Sequence, residues 1–585
     1  MVRRYEAPWL KLVGGLGIAV SVGAIFSFGA LSPAFMKLTH STSEQAASIG
    51  LGGNVGFGLY LIPGLSFDRY GTRFGFMVGV CLLILGFGAT CAALSVGANY
   101  LVVAVTWAAA GHAMAWLLCT NLLSNVKSWK PEARGYAVGS LQSFFCMSAP
   151  LFISIWENKI FDSTRLVPFL AFIVVWTLIF VSIAVICGGG SDDLLNSGIF
   201  DARAAKRFSR LQVYIAALLL LIVATGLAQQ TQWASYTIVA AIIFGVPAVL
   251  FLSDRTHSDD DLEGDDVVDK ALSKKEEEVK PLEEPLLLVP KEEESPTQEP
   301  LAALGPQWME FWELFLIFGI LTGGALSTSI SMVSIARSVG TCEYKTLAAF
   351  SLTLLTASDA FARMVGGVVI NAKFADGSVV LAVGALFLGA SHTAFSAAHG
   401  LSLHEGPYST GNSFLFLAAA AMSGLADGCA WTSCPWLTQA RFGATRYGNN
   451  FGIVTVAAVV GIIVFIKAVL PIGDQPDDDD DYYLVAYNHT YNDTYTIFNS
   501  SHHPNSYNCA SIDDDDDKSC YGGRCFSVFH RTCQATALVA FVCALDLERR
   551  RLQAAKQQQQ LDFLTRTNDA IKQKQLKQRN NNNNV

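Results

Sequence analysis

Charged residues are scarce in this sequence, and their scarcity narrows the class of protein. Only 15% of the 585 residues are Asp, Glu, Lys or Arg, whereas 52% are hydrophobic. A soluble protein of this length would carry more charge, so the composition indicates a polytopic membrane protein. The net charge of −9 reflects acids that concentrate in two loops. No basic patch is interleaved with aromatic residues, which leaves nucleic-acid binding without support.

Motifs of nucleotide hydrolysis and of hydrolytic enzymes are also missing. The sequence has no Walker loop, no Gly-x-Ser-x-Gly with a usable triad and no HExxH. None of its cysteines has metal-ligand spacing. We therefore expect no enzyme, no bound metal and no cofactor. A membrane reductase would need paired haem-ligand histidines, and His112 and His392 are isolated in the sequence.

Long apolar runs dominate the chain instead. A bilayer crossing needs roughly 20 apolar residues. Such runs occur near 11–36, 46–66, 74–96, 100–125, 135–157, 166–188, 210–228, 233–253, 309–335, 347–370, 378–399, 411–434, 449–471 and 526–546. This is about fourteen predicted membrane helices, an even number that places both termini on one side. Basic residues in short loops favour the cytosol for that side, by fifteen to five.

The order of these runs divides the chain into five parts. Residues 1–189 are predicted to form a six-helix bundle, and 190–253 add two helices. The acidic, Pro-containing stretch 254–306 lacks apolar periodicity and is predicted to be a disordered cytosolic loop. Residues 307–548 form a second six-helix bundle, with a long non-cytosolic loop at 472–525. The tail 549–585 is low-complexity and predicted to be disordered and cytosolic.

The two long loops carry targeting and modification signals. Glycosylation sequons begin at Asn488, Asn492 and Asn499, which agrees with a non-cytosolic loop. Four cysteines in or just after this loop are compatible with one or two disulfides or with free thiols: Cys509, Cys520, Cys525 and Cys533. In the cytosolic loop, Glu283 stands four residues before Leu287 and Leu288.

The Glu283 and Leu287-Leu288 pattern resembles an acidic dileucine sorting signal, which sorting adaptors read; a chance match is the alternative. The predicted location is the plasma membrane or an endolysosomal or vacuolar membrane.

A short polar segment separates the second and third apolar runs. Its glycines and charges follow the spacing G-x-x-x-D-R-x-G-x-R, namely Gly64, Asp68, Arg69, Gly71 and Arg73. The glycines allow a tight turn and close approach of helices. Asp68 can pair with an arginine or cap the following helix, and the arginines favour the cytosolic face. This segment, called the clasp below, resembles the signature of the major facilitator superfamily; an ordinary polar turn is the alternative.

The two halves of the chain contain a similar sequence pattern. In each half, a helix rich in small residues leads through a basic loop into a helix that opens with glycines four residues apart. The glycine pairs are Gly135 with Gly139 and Gly448 with Gly452. This spacing permits close helix contact. Two similar six-helix halves, related by an axis along the membrane normal, are the architecture of major facilitators.

The motifs taken together resemble a narrower family, the nodulin-like major facilitators of plants, fungi and protists. Shared features are the order of helices and loops, the clasp, Arg363–Gly367, Arg441–Gly443, Tyr447–Gly452 and the late Cys520 and Cys525. Asp359 departs from the family pattern, which has an amide there. The resemblance implies an all-α major facilitator fold, two six-helix bundles plus two extra helices. It also implies transport of a small molecule across the lipid bilayer, but not its identity.

Ionisable groups within the apolar runs are candidate site residues, because such groups usually face a cavity or a partner. Asp359 and Arg363 lie four residues apart and share one helix face, as a conformation-dependent or a static ion pair. Burial of Asp427 would favour its protonated form and make it a proton carrier for symport. The alternative is that Ser423, Thr432 or water satisfies this carboxylate.

Polar and aromatic residues complete the candidate set. His112 and His392 could bind a carboxylate or relay protons, or simply pack. Asn54 and Gln142 could hydrogen-bond a substrate or a neighbouring helix. Trp116 and Trp431, at matched positions, could line a central cavity or pack in the core.

The sequence therefore predicts a secondary active transporter of a small polar metabolite or organic anion that works by alternating access, with proton coupling as an option. The alternative is a non-transporting receptor or scaffold that retains the fold.

Overall fold

The chain folds as helices, because lipid offers the backbone no hydrogen-bond partners. The structure is a computed structural model and describes residues 2–157, 165–187, 202–227, 237–252, 307–339, 344–405, 410–443, 447–469 and 526–582. No β-strand occurs within these ranges. The predicted all-α class is thus confirmed for this part of the chain.

The first bundle contains seven helices. They are α1 Val2–Val22, α2 Phe28–Thr39, α3 Ser43–Gly58, α4 Leu61–Ser95, α5 Tyr100–Ser128, α6 Pro131–Glu157 and α7 Leu166–Cys187. The chain runs from α1 into α2 through a 3-10 turn, Gly23–Ser27. Gly23 packs so closely on α6 that a methyl group there would lie 2.4 Å from the Phe145 carbonyl oxygen.

The helix α4 contains a reversal of the chain at the clasp. Gly56 and Gly86 both pack against α5, at Ala108 and Ala110 respectively. A straight helix would hold two residues so far apart in sequence about 45 Å apart. The chain therefore turns back between them, at Gly71, whose φ of 76° lies in the left-handed region that glycine adopts freely. The predicted turn between the second and third membrane helices is observed.

Two further segments separate the bundles. The helix α8, Ala202–Leu227, is followed by residues 237–252, which contain the π-helical turns Ala241–Gly245 and Ala248–Leu252. The second bundle comprises α9 Gln307–Ile330, α10 Met332–Ser338, α11 Tyr344–Asn371, α12 Gly377–Glu405, α13 Thr410–Phe442, α14 Tyr447–Ile463 and α15 Ser527–Asn582. A π-helical turn, Val464–Val469, continues α14.

The number of crossings is not settled by helix length alone. Twelve stretches of the described chain are long and apolar enough to cross a membrane, and one of them, Ser48–Ser95, contains the reversal at Gly71. The stretch Thr237–Phe251 is apolar but shorter. A multi-pass membrane protein is confirmed, and the count of fourteen stays a prediction.

The bundles meet through equivalent helices. The fifth membrane helix of the first bundle, α6, packs on the second of the other, α11. Conversely, the second membrane helix of the first bundle packs on α14, the fifth membrane helix of the second bundle. This second membrane helix consists of α3 and the part of α4 before Gly71. This exchange is what a two-fold axis along the membrane normal produces, and it is the architecture predicted from the internal repeat.

The C-terminal tail differs from its prediction. Instead of a disordered segment over 549–585, the structure continues α15 to Asn582. Gln, Lys, Arg and Leu are good helix formers, and extending an anchored helix avoids the cost of a new nucleus.

Cys533 agrees with the free-thiol alternative that the sequence left open. It is a free thiol on α15, fully buried in the second bundle, because its side chain faces the bundle interior. The other loop features lie outside the described residues: Glu283, Leu287, Leu288, Asn488, Asn492, Asn499, Cys509, Cys520 and Cys525.

Candidate functional site: a cavity between the bundles

The clasp joins the two bundles through one carboxylate. Asp68 Oδ2 accepts a hydrogen bond of 2.9 Å from the backbone N–H of Asn449, in the first turn of α14. Asp68 therefore caps a helix of the opposite bundle, where its charge also suits the helix dipole. The sequence had indicated an arginine partner or the following helix. Both Arg69 and Arg73 are instead exposed, and Arg69 lies over the ring of Tyr70.

Glycines bring the backbones together at the clasp. A methyl group on Gly64 would lie 2.1 Å from the Gly448 carbonyl oxygen, and one on Gly448 would lie 2.5 Å from the Gly64 carbonyl oxygen. Only glycine allows this approach of α4 to α14. The clasp end of the molecule is closed here.

The symmetry-related helix pair is closed at the same end. A methyl group on Gly135 would lie 2.9 Å from the Gly367 carbonyl oxygen, and one on Gly367 would lie 2.8 Å from that of Gly135. About two turns further along, Ser143 Oγ donates a 2.9 Å hydrogen bond to the Ala360 carbonyl across the same interface. The close helix contact predicted from the glycine spacing is observed in both bundles.

Beyond these contacts lies a buried ion pair. Arg363 donates from Nε to Asp359 Oδ1 at 2.7 Å and from a terminal nitrogen to Asp359 Oδ2 at 2.9 Å. Its other terminal nitrogen donates to Gln142 Oε1 at 2.6 Å, across the bundle interface. Only 1% of the Arg363 surface is exposed. The pair predicted from the i, i+4 spacing is present, and Gln142 ties it to the first bundle.

A second carboxylate shares the same guanidinium. Asp427 Oδ2 lies 3.3 Å from Arg363, with 3% of the residue exposed, and the hydroxyl of Thr322 is its other polar neighbour. The predicted alternative partners do not bind it. The Thr432 hydroxyl donates to backbone carbonyls of Gly428 and Arg363, and Ser423 Oγ is itself buried without a hydrogen bond in the described structure.

Sequence reasoning missed one member of this cluster. The Cys146 thiol, on α6, donates to Asp359 Oδ2 at 2.8 Å. No local pattern could reveal this contact, because the two residues lie on different bundles. With both carboxylates ionised, the cluster of Asp359, Arg363 and Asp427 carries one negative charge in excess, which is costly away from water.

A cavity extends from this cluster away from the clasp, between the two bundles. Asp359, Arg363 and Asp427 line it together with Asn54 and Trp431, two further residues predicted from the sequence. Its polar wall in the second bundle consists of Ser329, Thr353, Thr356 and Thr455.

The first bundle contributes an aromatic wall to the cavity. The rings of Phe57 and Phe145 stack with centroids 5.6 Å apart and planes 9° from parallel. Phe26 meets both rings edge-on, at 5.1 and 5.5 Å. The Arg363 guanidinium lies over Phe145 and Trp431 at 5.4 and 5.3 Å. The guanidinium is therefore packed against aromatic rings from both bundles.

The predicted residues His112 and Trp116 lie elsewhere. Trp116 Nε1 donates to His112 Nε2 at 3.1 Å, one helical turn away, and His112 Nδ1 is 3.3 Å from the Gly56 carbonyl. Neither residue is among those that line the cavity. The two side chains join α5 to α3 within the first bundle.

His392 is not isolated, which corrects the sequence analysis. Its Nδ1 lies 2.9 Å from Nδ1 of His530, and the ring of His399 is 5.5 Å from that of His530. All three are buried between α12 and α15, apart from the cavity lining. A spacing of 2.9 Å is a hydrogen bond, which leaves no room for a haem iron between the rings.

Comparison with known protein families gives a match for the first part of the chain. Residues 8–252 match the family described as Nodulin-like. This part of the chain is similar to that family. The match confirms the family resemblance over the first bundle and the two segments after it. The matched part contains the clasp and Gln142, whereas Asp359, Arg363 and Asp427 lie in the second bundle, beyond the match.

Two solved structures are similar in overall arrangement. One is the major facilitator superfamily proton:xylose symporter XylE bound to 6-bromo-6-deoxy-D-glucose, with a TM-score of 0.49, 10% identity, and 92% of this chain and 95% of that chain covered. The other is the major facilitator superfamily transporter FucP in the outward conformation, with a TM-score of 0.43, 14% identity, and coverage of 92% and 98%. No curated protein matches the chain.

Proposed function

We propose that this protein is a secondary active transporter that works by alternating access, coupled to protons through Asp427. The observation that carries the proposal is the buried cluster of Asp359, Arg363 and Asp427. It stands at the inner end of a cavity between two pseudo-symmetric bundles. A purely structural role would not require a second buried carboxylate beside one guanidinium. Without Asp427, the protein would avoid the free-energy cost of burying that charge away from water.

The cycle follows from which contacts are made in this state. The clasp, the glycine contacts and the Arg363–Gln142 bond all hold the bundles together at the clasp end. The basic residues of the short loops favour the cytosol for that end, so this conformation is outward-facing. Rocking the bundles must break these contacts and close the cavity from the other side. A ligand or proton drives that change only through different affinities for the two conformations.

The location proposed is the plasma membrane or an endolysosomal or vacuolar membrane, with cytosolic termini. The dileucine-like pattern at Glu283, Leu287 and Leu288 supports the endolysosomal choice. Localisation of the full chain with both leucines replaced by alanine tests it: a shift to the cell surface is expected. An unchanged distribution assigns sorting to another signal.

Uptake into proteoliposomes tests the function. A panel of charged and neutral small metabolites is offered with and without an inward- or outward-directed proton gradient. We expect gradient-dependent flux of at least one solute, and loss of the gradient dependence in Asp427→Asn. Asp546→Asn, the same chemical change on the half-exposed part of α15, serves as the control. No flux for any member would favour the receptor or scaffold instead.

A further inference from the structure

We propose that the cavity binds a small monovalent organic cation with an apolar or aromatic body, and that Asp427 is its counter-ion. This deepens the proposed function by naming the substrate class. It excludes the organic anion, one of the two substrate classes predicted from the sequence. Binding itself does not require transport, so the two proposals can fail separately.

The first step concerns Arg363, the only basic residue among the described residues that line the cavity. Its Nε and both terminal nitrogens already donate to Asp359, Gln142 and Asp427. Its guanidinium also lies over the rings of Phe145 and Trp431. An anion that entered the cavity would therefore find no free cationic group and would approach two carboxylates.

The second step concerns Asp427. Asp359 accepts two hydrogen bonds from Arg363 at 2.7 and 2.9 Å, whereas Asp427 accepts one at 3.3 Å and its other polar neighbour, the Thr322 hydroxyl, is uncharged. The charge of Arg363 is thus matched by Asp359, and the charge of Asp427 is in excess. A proton or a cation removes the cost of that excess. A neutral solute does not.

The third step concerns the body of the ligand. Three packed rings, Phe26, Phe57 and Phe145, face the cavity from the first bundle. They offer an apolar surface to a hydrocarbon and ring faces to a positive charge. The hydroxyl groups of Thr353 and Thr356 lie across the cavity in the second bundle. An amine with an aromatic body matches both walls.

One carboxylate cannot hold a proton and a cation together. The proton and the organic cation therefore compete for Asp427, which makes the coupling an exchange of one for the other. This differs from the symport that the sequence had suggested. Each exchange leaves the buried cluster neutral, so the bundles move without an uncompensated charge.

Three probes that share a body and differ in charge test the assignment on the full-length purified protein. They are 2-phenylethylamine, a cation at neutral pH, 2-phenylethanol, which is neutral, and 3-phenylpropionate, an anion. Calorimetry should detect binding of the amine at least tenfold tighter than that of either other probe. An aliphatic amine stays protonated below neutral pH, so acid should weaken its binding through Asp427, by up to about tenfold per pH unit for one competing proton.

Variants complete the test. Asp427→Asn should abolish both the preference for the amine and its pH dependence, while Asp546→Asn should preserve both. A melting transition measured for each variant confirms that it is folded. Binding of 3-phenylpropionate in preference to the amine, or of none of the three probes, overturns the cation assignment. Binding of the amine without flux in proteoliposomes would support the site and overturn transport.

Discussion

The approach of Gly64 to Gly448 is so close that a single methyl group should open the clasp. In Gly64→Ala the new carbon would lie 2.1 Å from the Gly448 carbonyl oxygen, so the bundles must move apart at this end. Overpacking of this kind costs about 1–3 kcal/mol. We expect a lower melting temperature for the purified protein. Gly88→Ala is the matched control on the same helix, because nothing lies within 4 Å of its new carbon. Equal melting temperatures for the two variants would contradict the prediction.

Gln142 should stabilise the protein because it accepts a hydrogen bond from the buried Arg363 guanidinium. Gln142→Leu leaves a buried N–H of Arg363 without an acceptor, which costs about 1–3 kcal/mol or more for a charged donor. We expect lower thermal stability and altered transport kinetics together, because the lost bond joins the bundles. Gln212→Leu is the control, since its 2.9 Å bond to Ser140 joins α8 to α6 only. A smaller loss of stability in Gln142→Leu than in Gln212→Leu would contradict this prediction.

The sequence predicts local relations between residues and misses distant ones. Asp359 and Arg363 lie one helical turn apart, so their pairing follows from helix geometry alone. Gln142 and Cys146 reach the same cluster from the other bundle, which no spacing could indicate. His392 and His530 meet for the same reason, because α12 packs on α15. Tertiary packing, absent from any local pattern, decides these contacts.

At the scale of the element, α15 divides into an anchored part and a projecting part. Arg550 bonds Glu313 at 2.7 Å and Asp546 at 2.6 Å, and Arg551 bonds Glu548 at 2.6 Å. Beyond these residues the described side chains are almost all exposed. The Arg550–Glu313 pair joins α15 to α9, the other two pairs lie within α15, and the end of the helix projects into solvent.

Two truncations should separate these parts. Removing residues 562–585 should leave the melting temperature unchanged. Removing 546–585 also deletes Arg550 and Arg551 and should lower it, although each exposed pair contributes only about 0.2–1 kcal/mol. A lower melting temperature after removal of residues 562–585 alone would show that the end of α15 packs against another part of the protein.

The tail also shows what composition can and cannot predict about an element. Its runs of Gln and Asn lack an apolar face, which favoured disorder in the sequence analysis. Helix propensity and an anchored start decided otherwise over 549–582. At the clasp, the sequence predicted the turn correctly. It did not predict that Asp68 binds α14, because this contact forms only when the two bundles assemble.

For the whole molecule, the pseudo-two-fold arrangement fixes the direction of each bundle. Ala184 of α7 packs on Gly14 in α1, near Lys11, which bonds Ser128 at the end of α5. The first bundle therefore ends at the clasp end. Glu310, near the start of α9, lies 3.3 Å from Arg441 at the end of α13, so the second bundle begins there too. We therefore predict an even number of crossings between residues 187 and 307.

The helix α8 leaves the clasp end, since Phe208 packs on Trp129 beside the end of α5. The chain must then return, and the segment 237–252 runs back alongside α8, where the Tyr214 hydroxyl donates to the Ala241 carbonyl at 2.7 Å. We therefore predict that this short apolar segment is the eighth crossing, which would give fourteen in all. Epitope tags at the N-terminus, after residue 270 and at the C-terminus should share one side, the cytosol. The sequon at Asn492 should be glycosylated on the other. A tag after residue 270 on the opposite side from the N-terminus would mean an odd number of crossings before it, and the parallel bundles could not form.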